Sequence, residues 1–440
     1  MNNKERLALA EWVIKTTLKN GADQATVDIS NSRSVEISHR DKKLEKLQES
    51  TQNNLSLNVY ANQRYSGHST SDLRKESLEK FIEEAVASTK YLTEDEFRKL
   101  PDPKYYPTKL DIDLKLVDGN YDKVESSERV KIAATIEEAA KAVSDKIISA
   151  TAGYSDSTYE SVLVQSNGFA GESSGTYFSA GAEVTVKDDE GGRPEDWYYA
   201  TTVNFKDLPS IEMLGKMAAK RALQKIGQKK IESGKYTMLV ENRAAGNLLS
   251  VFRGAMTARA LQQKSSWLDG MLGKKVASEK LTVTDDPFIE KSFGSRLFDA
   301  EGIAAKKRIM IEKGVLNFFY VDNYYGRKIG MEPTSGGSSN LVFEYGDKNM
   351  EEMLKEIKKG ILVNGFLGGN SNSTTGDFSF GIVGQLIENG QIVKPINEMN
   401  ISGNAKEFWN QLVAMGNDPY PYSTTKIPSI LFDGVDFSGI

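Results

Sequence analysis

Between Ala25 and His68 the sequence alternates polar and apolar residues with a period of two, as in Thr26-Val27-Asp28-Ile29-Ser30, Ser34-Val35-Glu36-Ile37-Ser38 and Leu55-Ser56-Leu57-Asn58-Val59-Tyr60. Successive strand side chains point to opposite faces, so this stretch reads as an antiparallel sheet with one buried and one wet face. The flanks change period. Leu7, Leu9, Ala10, Val13, Ile14 and Leu18 recur at helical intervals before Gly21. Leu78, Phe81, Ile82, Ala85 and Val86 do the same after the cap candidates Ser69-Thr70-Ser71-Asp72. Each set buries one helix face.

Prolines at 101, 103 and 107 make Leu100–Pro107 a loop, because proline removes a backbone donor and restricts its neighbour. A helix is expected over Ser127–Ala142, then strands over Ile147–Lys187 around the turn Ser166-Asn167-Gly168. A helix over Ile211–Lys230 precedes the strand Gly234–Val240, where a domain boundary is placed. The remainder is rich in glycine turns and short strands, notably Lys306–Tyr320 and Phe378–Val393, with one charged helix at Asn349–Lys359. A length of 440 residues makes two domains the prior. The expected fold class is α+β: an N-terminal helix-and-strand domain over residues 1–205, a connecting helix in 206–232 and a C-terminal β-rich domain over 233–440, with loops gathered at one sheet edge.

The charge balance, 56 basic against 61 acidic residues, gives no reason to expect nucleic acid as a partner. No apolar run approaches the roughly 18 residues that cross a bilayer, and the N-terminus leads into an amphipathic helix, so a cytoplasmic chain is expected, with no membrane partner. Cysteine is absent, which excludes a disulfide, a thiolate nucleophile and a sulfur ligand for zinc. Histidine occurs only at His39 and His68, far apart and read here as surface or hydrogen-bonding residues. Any site needing two imidazoles must use both.

Several patterns offer chemistry, each with a plainer reading beside it. Gly171-Glu172-Ser173-Ser174-Gly175 matches the serine-hydrolase pattern, but a strand follows where that motif needs a helix, so a hairpin turn is the better reading. Asp285-Asp286-Pro287 and Asp299 with Glu301 would suit a hard divalent cation; turn chemistry is favoured, because no single loop has dense ligand spacing. The run from Gly365 to Asp377 is either a lid over a cleft or a linker between strands. It lacks the lysine and following helix of a phosphate-binding loop. Phe318, Phe319, Tyr320, Tyr324 and Tyr325 follow a strand and read as core at a strand end ahead of a peptide-binding surface.

Seven segments, in order, resemble the TldD/PmbA family over nearly the whole chain: Tyr65-Ser66-Gly67-His68-Ser69-Thr70-Ser71-Asp72, Ser166-Asn167-Gly168-Phe169, Asp285-Asp286-Pro287, Phe298-Asp299-Ala300-Glu301-Gly302, Gly314-Val315-Leu316, Thr375-Gly376-Asp377-Phe378-Ser379 and Ile401-Ser402-Gly403-Asn404. The resemblance implies a metallopeptidase whose catalytic members carry a helical His-Glu-x-x-x-His motif and a late cysteine. Two histidines there hold zinc, and the glutamate acts as general base on the bound water. The corresponding helix here is Asn247–Ala255, which puts Ser250, Val251 and Ala255 at the His, Glu and His positions. With the cysteine also missing, the resemblance is to the non-catalytic branch, PmbA or TldE. It implies pairing with a zinc-bearing TldD-like catalytic subunit, no metal in this chain, and peptide as substrate; a homodimer is the other assembly left open.

A possible cleft takes Asp285, Asp286, Asp299, Glu301, Thr375, Gly376 and Asp377 as its candidate residues; whether the Ser250–Ala255 helix lines it or packs into the core through its apolar stripe Leu248, Leu249, Phe252 and Met256 is left open. Two alternatives remain. In one the chain is an active metallopeptidase whose divalent ion sits among Asp285, Asp286, Asp299, Glu301 and Asp377. In the other it is a protein-binding modulator, after the family's older description as a modulator of DNA gyrase, with the near-neutral charge arguing against direct DNA contact.

Overall fold

The alternating segments form the larger part of an antiparallel sheet. The computed structural model describes residues 1–440. Strands β1 (Gln24–Arg40), β2 (Lys43–Ala61), β3 (Arg64–Thr70), β4 (Ile147–Gln165), β5 (Ala170–Val186) and β6 (Glu195–Thr202) lie in the order β3-β2-β1-β4-β5-β6. Register follows the pattern: Val27 pairs with Leu57 and Val164, so apolar residues stack on one face. Helices α1 (Asn3–Lys19), α2 (Lys75–Thr89), α3 (Ser126–Lys141) and α4 (Ile211–Leu223) cover that face. The other face stays polar. An Asn2–Glu5 capping box starts α1. The caps expected for α2 do not form: Ser69 and Thr70 end β3, and the helix starts after Arg74 with no side-chain cap.

The expected connecting helix is part of this first core. Leu214, Ala218, Ala219 and Ala222 of α4 pack with Ile136 and Ala140 of α3 under the sheet. The helix ends at Leu223, ahead of the expected Lys230.

The C-terminal half is β-rich. It contains β7 (Gly234–Val240), β8 (Val283–Asp285), β9 (Arg308–Glu312), β10 (Val315–Leu316), β11 (Leu341–Phe343), β12 (Lys359–Ser371), β13 (Asp377–Glu388), β14 (Gln391–Asn404), β15 (Leu412–Met415), β16 (Thr425–Lys426) and β17 (Ile430–Ser438). One sheet runs β14-β13-β12-β7-β17-β15, and β14 also pairs with β17, closing five strands into a ring. A smaller sheet, β10-β9-β8-β11-β16, packs against the same core, which includes Phe252, Trp409 and Phe432. No helix is long and apolar enough to cross a membrane.

The proline-rich loop ties the halves together. Tyr105 O accepts from Ala304 N at 2.8 Å, Lys99 O from Asn323 Nδ2 at 2.6 Å and Leu100 O from Arg327 Nη2 at 3.1 Å. Such a loop has backbone carbonyls free to bridge, because its prolines keep it out of helix and sheet.

Candidate functional site

The segment expected to correspond to the family's zinc motif is a broken helical stretch: one turn at Asn242–Ala245, a tighter one at Gly246–Leu249 and another at Ser250–Arg253. The apolar stripe drives it inward. Leu248, Leu249, Val251, Phe252 and Ala255 are all buried. Ser250 Oγ is buried with no hydrogen-bond partner in the chain.

Trp267 joins this segment to the glycine-rich run. Its Nε1 donates to Val251 O at 2.9 Å and its backbone N to Ser373 O at 2.8 Å, while its ring lies 5.5 Å from that of Phe252. Gly376, with φ of +85°, turns the chain beneath that ring; a Cβ there would lie 3.3 Å from it. Asp377 accepts from Thr375 Oγ1 at 2.6 Å and Asn404 Nδ2 at 3.0 Å, and these bonds hold its carboxyl below the usual range. Thus Ser250, Val251 and Ala255 lie close to Thr375, Gly376 and Asp377. The run itself is neither a free lid nor a linker. Gly369, Asn370 and Ser371 pair with Phe380, Ser379 and Phe378 as one arm of the β12–β13 hairpin, and only Asn372–Gly376 turns.

The other carboxylates are held by turn and strand chemistry. Asp285 is buried and accepts from Ser339 N at 2.9 Å, from Ser339 Oγ and from Tyr320 OH at 3.0 Å. Asp286 accepts from Phe288 N at 3.0 Å and pairs with Lys307 at 2.8 Å. Asp299 accepts from Glu301 N at 2.9 Å and Ile303 N at 3.0 Å, and burial raises its carboxyl. Glu301 accepts from Asn323 N at 2.8 Å, and burial pushes it up to about 7. No three His, Asp or Glu side chains converge closely enough to hold a metal ion.

The remaining patterns resolve simply. Gly171–Gly175 lies inside β5, paired with Tyr159–Leu163 of β4, so the hairpin-turn reading is corrected: the turn is the preceding Ser166–Gly168. Phe319 and Tyr320 are buried core, while Tyr324 and Tyr325 belong to a short helix, Asn323–Ile329. His39 Nδ1 is 2.6 Å from Glu137, and His68 Nε2 is 2.7 Å from Ser66 Oγ. A cleft of about 940 Å³ opens on the polar face of the N-terminal sheet, against Leu110–Val117 and Phe293–Ala300.

Comparison with known proteins agrees with this architecture along most of the chain. Domain 1, the central domain and the C-terminal domain of the PmbA/TldA metallopeptidases match residues 25–89, 119–226 and 233–439. The chain belongs to the PmbA/TldD metallopeptidase family. Metalloprotease PmbA of Escherichia coli O157:H7 is 28% identical over 423 residues, covering 95% of this chain and 93% of the relative. A PmbA homolog from Haemophilus influenzae is 27% identical over 432 residues, covering 97% and 95%. A solved structure from Bacteroides thetaiotaomicron, described as a candidate modulator of DNA gyrase, superposes with a TM-score of 0.97 at 42% identity over 100% of both chains. TldE from Thermococcus kodakarensis, at 22% identity, a TM-score of 0.86 and coverage of 98% and 100%, shares the fold.

For a PmbA/TldD metallopeptidase the metal to test is zinc, and the residues present do not fit it. Val251 and Ala255 offer no donor atom, Ser250 only a buried hydroxyl, and the chain has no cysteine. Within this PmbA/TldD chain the residue most underrated by sequence reasoning is Trp267, whose isolated position among loop residues gave no periodic signal. The Leu110–Val117 wall of the cleft was also missed, although Leu110-Asp111-Ile112-Asp113-Leu114-Lys115-Leu116 alternates visibly.

Proposed function

We propose that this chain is a non-catalytic, PmbA/TldE-like subunit that completes a shared chamber with a zinc-bearing TldD-like subunit acting on peptides or unfolded proteins. The observation that carries the reading is the chemistry of the motif positions: Ser250, Val251 and Ala255 supply no ligand set and no general base, and Val251 and Ala255 are packed into the C-terminal core. Support also comes from full-length similarity to proteins named PmbA and to a TldE fold. The carboxylates of the active-enzyme alternative are occupied by hydrogen bonds and ion pairs and fall in three segments, Asp285–Asp286, Asp299–Glu301 and Asp377, with no cluster of three, which weighs against that reading.

The test is zinc content after dialysis against metal-free buffer and resupply, with a TldD-type protein from the same source as control. The isolated chain is expected to hold close to no zinc, to co-elute with the TldD-type protein on size exclusion, and to leave peptide uncut unless that subunit is present. About one tightly held zinc per isolated chain, or no complex with any TldD-type protein of that source, removes the reading. A protein-binding modulator is the second reading, favoured by the description of the 42%-identical Bacteroides relative. It predicts a partner captured in the absence of any peptidase.

A further inference from the structure

The outer wall of the 940 Å³ cleft is an irregular segment, Leu110–Val117, that belongs to no sheet. Leu110 to Leu116 alternates apolar and charged residues, yet the backbone amides and carbonyls of Leu110–Asp113 make no hydrogen bond within the chain. Leu110 and Ile112 remain 38% and 46% exposed. Unpaired backbone at the rim of a concave site offers donors and acceptors to an extended chain. The volume is in the range of ligand-binding clefts.

The floor supplies a specific chemical preference. Asp28 of β1 lies opposite Ser56 of β2 and Leu163 of β4, so no cation faces it across either ladder. Burial raises its carboxyl, and no neighbouring charge or donor offsets that. The two cations lining the cleft are already engaged: Lys115 Nζ lies 2.6 Å from Glu290, and Arg296 donates to the carbonyls of Ser338 and Gly337. The other lining carboxylates, Asp113, Glu172 and Asp299, each accept a hydrogen bond from within the chain. Asp28 is left as the carboxylate without a hydrogen-bond partner, on a floor where Thr26, Ser56 and Ser161 lie nearby.

We propose that this cleft binds an extended peptide that pairs through its backbone with Leu110–Asp113 and places a lysine or arginine side chain on Asp28. The choice of peptide rests on the peptide-handling reading above, but every residue invoked belongs to this chain. A desolvated carboxylate gains from a cation both a charge-assisted hydrogen bond and relief of its burial cost, which an apolar side chain cannot give.

The experiment is fluorescence anisotropy on the isolated full chain. Three labelled, end-blocked peptides are used: Val-Thr-Lys-Thr-Val, the same peptide with norleucine in place of lysine, and the lysine peptide N-methylated at alternate backbone amides. The lysine peptide is expected to bind about tenfold tighter than either of the others, the size of one charged or one paired contact set. Asp28→Asn, which is isosteric and whose folding is checked by its thermal melt, should bring the lysine and norleucine peptides to equal affinity.

A lysine preference that is absent in the natural chain or survives in D28N overturns the role of Asp28. Undiminished binding of the N-methylated peptide overturns the backbone pairing. Amide hydrogen exchange at Leu110–Asp113 slowed by a TldD-type protein and not by peptide would assign the segment to a subunit interface, and overturns the proposal. None of these outcomes alters zinc content or complex formation, so failure here is distinct from failure of the subunit reading.

Discussion

Glu301→Gln isolates the clearest electrostatic tension in the molecule. Glu301 sits at the seam of the two halves, where Gln165 Nε2 donates to its backbone carbonyl at 2.8 Å. Its carboxylate has one backbone donor, Asn323 N, and faces Asp299, Asp322 and Arg98. Burial first, and then the two aspartates, raise it from the ordinary 4.5 to about 7. Between those values the folded chain keeps a proton that the unfolded chain has released. Stability is therefore fully present below pH 4.5 and falls as pH rises through about 7.

At about 1.4 kcal/mol per pKa unit, the displacement amounts to about 3 kcal/mol, which partial solvent access at the seam reduces to about 2 kcal/mol. Glutamine keeps an oxygen to accept from Asn323 and loses the ionisation. Urea unfolding measured from about pH 4.5 to about pH 8 should then show the natural chain losing about 2 kcal/mol more than the variant, with E301Q the more stable at the alkaline end. Groups that the substitution leaves untouched contribute equally to both proteins and cancel in the difference. Parallel stability profiles for the two proteins would refute the argument.

Asp156 accepts from Tyr121 OH at 2.7 Å, Tyr154 OH at 2.8 Å and Arg129 Nε at 2.6 Å, all in the first core. Asp156→Ala strands the Arg129 charge and should cost about 3–5 kcal/mol in chemical denaturation; a midpoint within error of the natural chain would show that the guanidinium reaches water. Gly215→Ala sets helix propensity against packing. Alanine gains about 1 kcal/mol within a helix, but its Cβ would lie 2.2 Å from Ile136 O, so α3 and α4 must part. A net loss of at least about 2 kcal/mol is expected by thermal unfolding, and a net gain would mean that the two helices separate without penalty.

The places where sequence and structure diverge share a cause. Gly171–Gly175 contains the small residues of a turn, yet β4 lies beside it along its whole length and pairs it into β5. Gly365–Ser371 has the composition of a linker, and β13 supplies its partner in the same way. Leu110–Leu116 has the alternation of a strand and joins no sheet: Leu114 O and Leu116 O each accept one backbone bond, from Lys291 N and Thr176 N, and Leu110–Asp113 receive none. In each case the local residues set a preference, while the hydrogen-bonding edge that satisfied or denied it came from elsewhere in the chain. The caps foreseen for α2 failed similarly, because pairing with β2 drew Ser69 and Thr70 into β3.

Which faces are buried is legible in residue order alone, since a period of two or of 3.6 is written into neighbouring residues. Residue order also carried the family, through ordered segments along the whole chain, and the absence of imidazole and thiolate donors at Ser250, Val251 and Ala255, because donor atoms are a property of residue type alone. Folding in three dimensions was needed to bring those positions to the Thr375–Asp377 turn through Trp267, to engage Asp285 and Asp286 at one turn and Asp299 and Glu301 at another, and to leave Asp28 without a partner on a cleft floor. Convergence of distant residues and the supply of hydrogen-bond partners are non-local, so no window of sequence contains them.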